Sequence, residues 1–285
     1  MNGGRDSVGW SADVWARLDQ AVHHEVQRAA VATTFLPVTT VAAGAATVPA
    51  DAINVQAMTV DPSAVVPVVE LTIGFSLSQQ QVDNEADLGV AAILATRSAN
   101  FLAQVEDLLI YQGGGAKLTG PLGLVQIRGT AGAGLLAGAT KAIPVPVVGN
   151  DPGVYGENTF DAVVAAIAAL RARGQAGPYA LSLSPAVYAD TFVPVAGTLV
   201  MAADQIKPLV SAGFVEAAAL PAATGLLVSL GGNTMDLVMA VEPTTAFVQI
   251  DDQGQSQFRL YERWALRLKD PESMVQLNFQ DPVRD

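Results

Sequence analysis

Apolar residues recur about every four positions near the start of the chain, at Val14, Leu18, Val22, Val26 and Ala30. That period predicts an amphipathic helix over residues 11–33, with Ser11 as its N-cap. Residues 34–49 hold too many Thr, Val and Pro for a helix and read as an extended arm. Residues 54–78 alternate in part and contain Pro62 and Pro67, which suggests two long strands forming a projecting hairpin. The strongest helical pattern covers residues 83–112, where Leu88, Ala91, Ala92, Ala95, Ala99, Leu102, Val105 and Leu109 share one face. Gly113, Gly114 and Gly115 end it.

A Gly- and Pro-rich passage to residue 156 reads as loops and short strands, and residues 158–173 form a second helix closed by Gly174. Residues 179–184 read as a short buried strand, and Pro185 opens a helix to residue 192. The low-charge stretch 194–223 reads as helix and loop. Residues 226–230, 235–241 and 245–250 are strands separated by Gly/Asn and Pro turns. In the last strand, 257–269, Phe258, Leu260, Trp264, Leu266 and Leu268 alternate with Arg259, Tyr261, Arg263 and Arg267, giving one dry face and one basic face.

Composition adds a constraint that pattern alone does not. Only 15% of residues are charged, against roughly 25% in ordinary soluble domains. Such a chain must hide surface in a membrane or against protein. The charge-free stretch 29–50 is interrupted by Pro37, Gly44 and Pro49, so it does not read as a spanning helix. Residues 1–10 lack the apolar segment of a signal peptide, which leaves the cytoplasm as the expected location. Burial against other subunits remains. The net charge of −12 argues against a nucleic-acid surface. The absence of cysteine excludes disulfides and thiolate metal sites.

Candidate chemistry is sparse. His23 and His24 are adjacent and point about 100° apart on a helix, so they cannot chelate one ion as an i, i+4 pair would. Gly132, Gly134 and Ala137, with Asp151 downstream, match a dinucleotide fingerprint, but Gly138, Pro144 and Pro146 deny it the following helix. In the Gly113–Lys117 run, Lys117 is followed by Leu118 rather than Ser or Thr, so it does not make a phosphate loop. Glu106 with Asp107, and Asp251 with Asp252, read as solvated or capping residues. No set of nucleophile, base and acid assembles, so no catalytic residue, metal site or cofactor is expected.

Several segments resemble the encapsulins. "WARLDQAVHHEVQRAAVATTFL" (15–36) is similar to their interior N-terminal helix, and "FLAQVEDLLIYQG" (101–113) to the end of their long spine helix. "GPYALSLSPAVYADTF" (177–192) resembles a G-P-Y-x-x-x-L-S-x-x-x-Y element of the family. "NTMDLVMAVEPTTAFV" and "FRLYERWALRLKDPESMVQL" resemble its last strands. Thr33 and Thr34 depart from the pattern, since many relatives carry two arginines there.

The resemblance implies an α+β chain with the HK-97-like phage capsid fold. It implies an N-terminal helix and arm (1–50), an extended loop (51–80), a peripheral domain on the spine helix (81–175), an axial domain (176–226) and return strands (227–285). Many copies would close into an icosahedral shell around a cargo enzyme, such as a ferritin-like protein or a peroxidase, held by a short targeting peptide. Val22, Val26, Ala29, Ala30, Phe35 and Leu36, beside Phe258, Leu260 and Tyr261, are the expected peptide contacts; packing of the helix on its own body is the alternative. Pro194, Val195, Ala196, Gly197 and Thr198 are the expected pore lining. A phage capsid protein packaging DNA is the competing reading, and neither membrane nor nucleic acid is an expected partner of the shell.

Overall fold

Ser11 caps the first helix in the computed structural model, which describes residues 4–61, 63–149, 151–194 and 199–280. Its side chain accepts the Val14 amide, and helix α1 runs over Ala12–Ala29. Trp10 and Trp15, the residues before the cap and four after it, close their rings to 4.8 Å as a hydrophobic staple.

The arm and hairpin are partitioned differently from expectation. Strand β1 (Val38–Thr40) joins the main sheet, and β2 (Thr47–Pro49), β3 (Ala52–Asn54), β4 (Thr59–Asp61) and β5 (Val65–Pro67) make the hairpin through the pairs β2–β5 and β3–β4. Strand β6 (Val69–Leu77), expected within the hairpin, instead pairs with the last long strand at the centre of the sheet. The expected 51–80 loop therefore begins earlier, at residue 47, and ends at 67.

The helix expected over 83–112 is broken. Turns α2 (Gln79–Asp83) and α3 (Glu85–Leu88) precede the spine, α4 (Val90–Gln112), because Gly89 sits at φ +61°. Glu85 caps the spine by accepting the Ala91 and Ala92 amides at 2.6 and 3.1 Å. Ala91, Ala95, Ala99, Leu102, Val105 and Leu109 are buried as the pattern required, whereas Leu88 is exposed on the separate turn.

Short elements β7 (Gln126–Arg128), α5 (Leu135–Gly138) and β8 (Lys141–Pro146) lead to α6 (Gly156–Ala172), β9 (Tyr179–Leu183), α7 (Pro185–Asp190), α8 (Ala202–Ile206) and β10 (Gly213–Glu216). Strands β11 (Thr224–Ser229), β12 (Met235–Ile250), β13 (Ser256–Leu268) and β14 (Met274–Gln280) complete the chain. The two strands expected at 235–241 and 245–250 are one. Pro243 lies in an irregular stretch of β12, where the register shifts between Val241 and Thr244, so the missing N–H breaks only a local rung.

The larger sheets order as β1-β12-β13-β6-β7 and β10-β9-β11-β14-β8. The first packs with α1 and α4 around one core, and the second with α6, α7 and α8 around another. The second sheet is broader than the 176–226 segment, since β8 and β14 join it from either side in sequence. Prolines in β8 are tolerated because it is the edge strand. Tyr111 at the end of the spine bridges the two units through a 2.7 Å hydrogen bond with Ser182.

The glycine fingerprint has a packing role. A Cβ on Gly134 would lie 2.3 Å from the Gly113 nitrogen and 2.6 Å from the Tyr111 oxygen, so two backbones meet where no side chain fits. Gly134→Ala is expected to destabilise the chain by about 1–3 kcal/mol through overpacking, measured as a lowered denaturant midpoint. An unchanged midpoint would mean that the two segments part freely.

Candidate functional site

The two faces of β13 have different coverings. Residues 256, 258, 260, 262 and 264 are buried under the helices, and 257, 259, 261 and 263 look the other way. On the helical side Phe258 stacks between Trp10 (5.2 Å) and Phe75 (5.4 Å), with Trp15 and Phe247 beside it. On the opposite side the basic residues grip the arm and hairpin. Arg263 donates to the carbonyls of Ala43 and Ala45. Arg267 pairs with Asp236 at 2.5 Å and with Asp51 at the hairpin base. Lys269 adds a 3.2 Å pair to Asp236 and offers its carbonyl to the Ile53 amide at 2.8 Å. Burial alone would raise the Asp236 carboxyl, but Arg267 and Lys269 outweigh it and hold the group below the usual range.

Of the residues expected to contact a peptide, Val22, Ala30, Phe35, Leu36, Phe258 and Leu260 are buried in this chain's own core. The helix period identified the apolar face correctly, and that face is covered by α4 and β12. Tyr261 lies on the far face of the sheet, against Arg259, and does not meet α1. Val26 and Ala29 remain half-buried at the helix edge.

Two openings were not foreseen. One, about 540 Å³, lies between the N-terminal turn and α1, with Arg5, Trp10, Trp15 and Asp19 in its wall. The other, about 290 Å³, is walled by Val8, Trp10, Val82, Phe247 and Ile250. Arg5 organises the first: it pairs with Asp19 at 2.6 Å, donates to the Thr245 carbonyl, and lies 4.5 Å over the Trp15 ring. The readable signal was the tryptophan before the cap, five residues ahead of a second one inside the helix.

Glu106 and Asp107, expected to be solvated or capping, are 1% and 4% exposed. Asp107 accepts the amides of Val31 and Ala32, each at 2.8 Å, and so fixes the bend that leaves α1. Burial raises its carboxyl to about 6 despite those two bonds. Glu106 is raised to about 8 by burial and then by Asp107. Asp251, by contrast, caps its turn as expected, accepting from Gln253 and Gln255. His23 and His24 are exposed. Among the described residues no group of His, Cys, Asp or Glu could hold a metal ion, and no helix is long and apolar enough to cross a membrane.

A family model described as "Encapsulating protein for peroxidase" matches residues 2–265. The chain belongs to the encapsulin family. The type 1 encapsulin shell protein EncA of Myxococcus xanthus (strain DK1622) is 31% identical over 118 residues, which cover 41% of each chain. The match thus spans about two fifths of that relative's length. A virus-like particle from Pyrococcus furiosus has the same fold, with a TM-score of 0.70 at 16% identity over 93% of this chain and 99% of that one. The capsid of Myoviridae phage XM1 gives 0.53 at 12% identity over 76% and 75%. The HK97-like capsid fold implied by the sequence is therefore shared with both encapsulins and phage shells.

In this encapsulin the expected pore loop falls largely outside the described residues, which include Pro194 but not Val195, Ala196, Gly197 or Thr198. Pro194 bridges to Met201 at its base, and Leu199 is 92% exposed beyond it. Lys207 lies 5.0 Å over the Phe192 ring nearby. Asp190, accepting the Tyr155 and Gly156 amides, ties α7 to the start of α6 and holds this end of the second sheet.

Proposed function

We propose that the chain is a shell subunit, many copies of which close into a hollow icosahedral compartment in the cytoplasm around a cargo enzyme. The observation that carries this is the hairpin over residues 47–67. It stands off the body with Val55, Met58, Val60 and Val65 at least half exposed, and its base is tied down by Arg267 and Lys269. A rigidly based apolar projection is stable in water only when another surface covers it, and a second copy offers that surface at every position of a closed lattice. Catalysis belongs to the cargo in this reading, and the shell supplies enclosure. The family description makes a peroxidase the first cargo to test, with a ferritin-like enzyme second. A DNA-filled capsid is the less favoured reading, because the matching family model describes an encapsulating protein.

The cargo peptide is assigned to the edge of α1 at Val26 and Ala29, where half-buried apolar positions border exposed polar ones. The pore is assigned to residues 194–198. Expression of the chain alone, viewed by electron microscopy, is expected to give uniform hollow particles, and particles filled with nucleic acid would favour the capsid reading instead. Val26→Asp is expected to lower co-purified peroxidase about tenfold, equivalent to about 1.4 kcal/mol, with particles intact. Undiminished loading would place the peptide elsewhere.

A further inference from the structure

Glu262 is in phase with Phe258, Leu260 and Trp264 on the dry side of β13 and is fully buried, in a strand that packs against the spine helix carrying Glu106. The side-chain oxygens Glu106 Oε1 and Glu262 Oε2 have no hydrogen-bond partner. We propose that Glu106 and Glu262 keep a proton at neutral pH inside the folded protein, making the pair a pH-sensitive pin that joins the spine helix, the sheet and, through Asp107, the start of the arm.

Apart from the Trp264 N–H on Glu262, what surrounds the two glutamates disfavours a second charge. From α4 come Glu106, Asp107 and Tyr111, and Tyr111 is occupied with Ser182. From β13 comes Glu262, whose other oxygen accepts the Trp264 Nε1 proton at 3.1 Å. Strand β6 turns Val69, Leu71, Ile73 and Leu77 inward, while its Glu70 faces Arg263 and Arg128 on the far side. Helix α1 brings Glu25, which is held by Arg28 and Asn100. The arm contributes only the two amides on Asp107. An ionised carboxylate accepts hydrogen bonds and donates none, so two of them here would leave orphaned acceptors facing like charge, whereas a protonated one gains a donor.

Glu262 is pushed well above its ordinary range by burial first and then by Glu106, and the two titrate as a pair. The direction of the pH effect follows. Below the ordinary glutamate value of 4.5, folded and unfolded chains both hold the protons. From there to about 8 the folded chain alone holds the Glu106 proton, and Glu262 is raised in the same direction, so stability falls as pH rises through this range. Ionisation also sets charge beside Asp107, whose bonds to Val31 and Ala32 hold the arm.

Infrared spectroscopy of the full chain, assembled or dispersed, tests this. At pH 7 the parent is expected to show the carbonyl stretch of a buried protonated carboxyl, which fades on raising the pH. Glu106→Gln and Glu262→Gln should each reduce it. Between about pH 5 and pH 9 the parent's melting temperature should shift down by several degrees, and the double variant's should shift less. Absence of the band in the parent at neutral pH overturns the proposal even where the variants fold poorly. So does a band of undiminished intensity in both single variants, or an undiminished pH response in the double variant.

Discussion

Asp236→Ala is expected to destabilise the subunit by about 3–5 kcal/mol, because it leaves two cations without their shared partner. Asp236 is 1% exposed, and the side chains of Lys269 and Arg267 are 5% and 14% exposed, so neither can turn fully to water. Arg267 would keep only its hairpin partners, Asp51 and the Pro49 carbonyl, and the hairpin base would lose its rigid tie to β12. The denaturant midpoint reports the first effect, and particle yield the second. Because the Asp236 carboxyl is held low, its contribution is present above the normal aspartate range and lost as pH falls through the depressed value. Asp236→Ala should therefore lose part of the parent's stability change on acidification. A midpoint within error of the parent would show that the cations find water and that the hairpin is held otherwise.

Phe258→Ala should cost about 3–5 kcal/mol, the usual range for emptying a buried aromatic site. Its ring is 1% exposed and touches Trp10, Trp15, Phe75 and Phe247, so the cavity would open among rigid rings that cannot collapse into it. The variant also separates two roles. A core residue loses stability and particle yield together, whereas a peptide contact would lose cargo from stable particles. The first outcome is expected, read by denaturant unfolding and by peroxidase co-purification.

How far the sequence could be read depended on whether a residue's covering is local. The face of α1, the face of α4 and the alternation of β13 were all visible in hydrophobic period. What covers those faces was not. Val22, Phe35 and Leu36 looked available for a peptide because α4, about 70 residues away, leaves no periodic trace in the first helix. Strand β6 looked like half of a hairpin because its partner β13 is remote. Strand β8 was obscured by Pro144 and Pro146, which only an edge position permits.

The carboxylates were missed for a different reason. Glu262 falls on the dry side of a strand whose alternation was otherwise recognised, and Glu106 falls between Leu102, Val105 and Leu109 on the buried side of the spine. Both were in phase with the core, but a lone acid on an apolar face is ordinarily assumed to escape to solvent. The basic face of β13 had a readable pattern too, but its purpose depended on Ala43, Ala45 and Asp51 folding back over it.

The apolar hairpin projecting from each chain needs other copies to cover it. Sedimentation velocity of the purified chain at micromolar concentration tests this most directly. A single fast boundary of megadalton mass, without a 29.4 kDa species, is the predicted result. A stable boundary at the mass of one chain would contradict it.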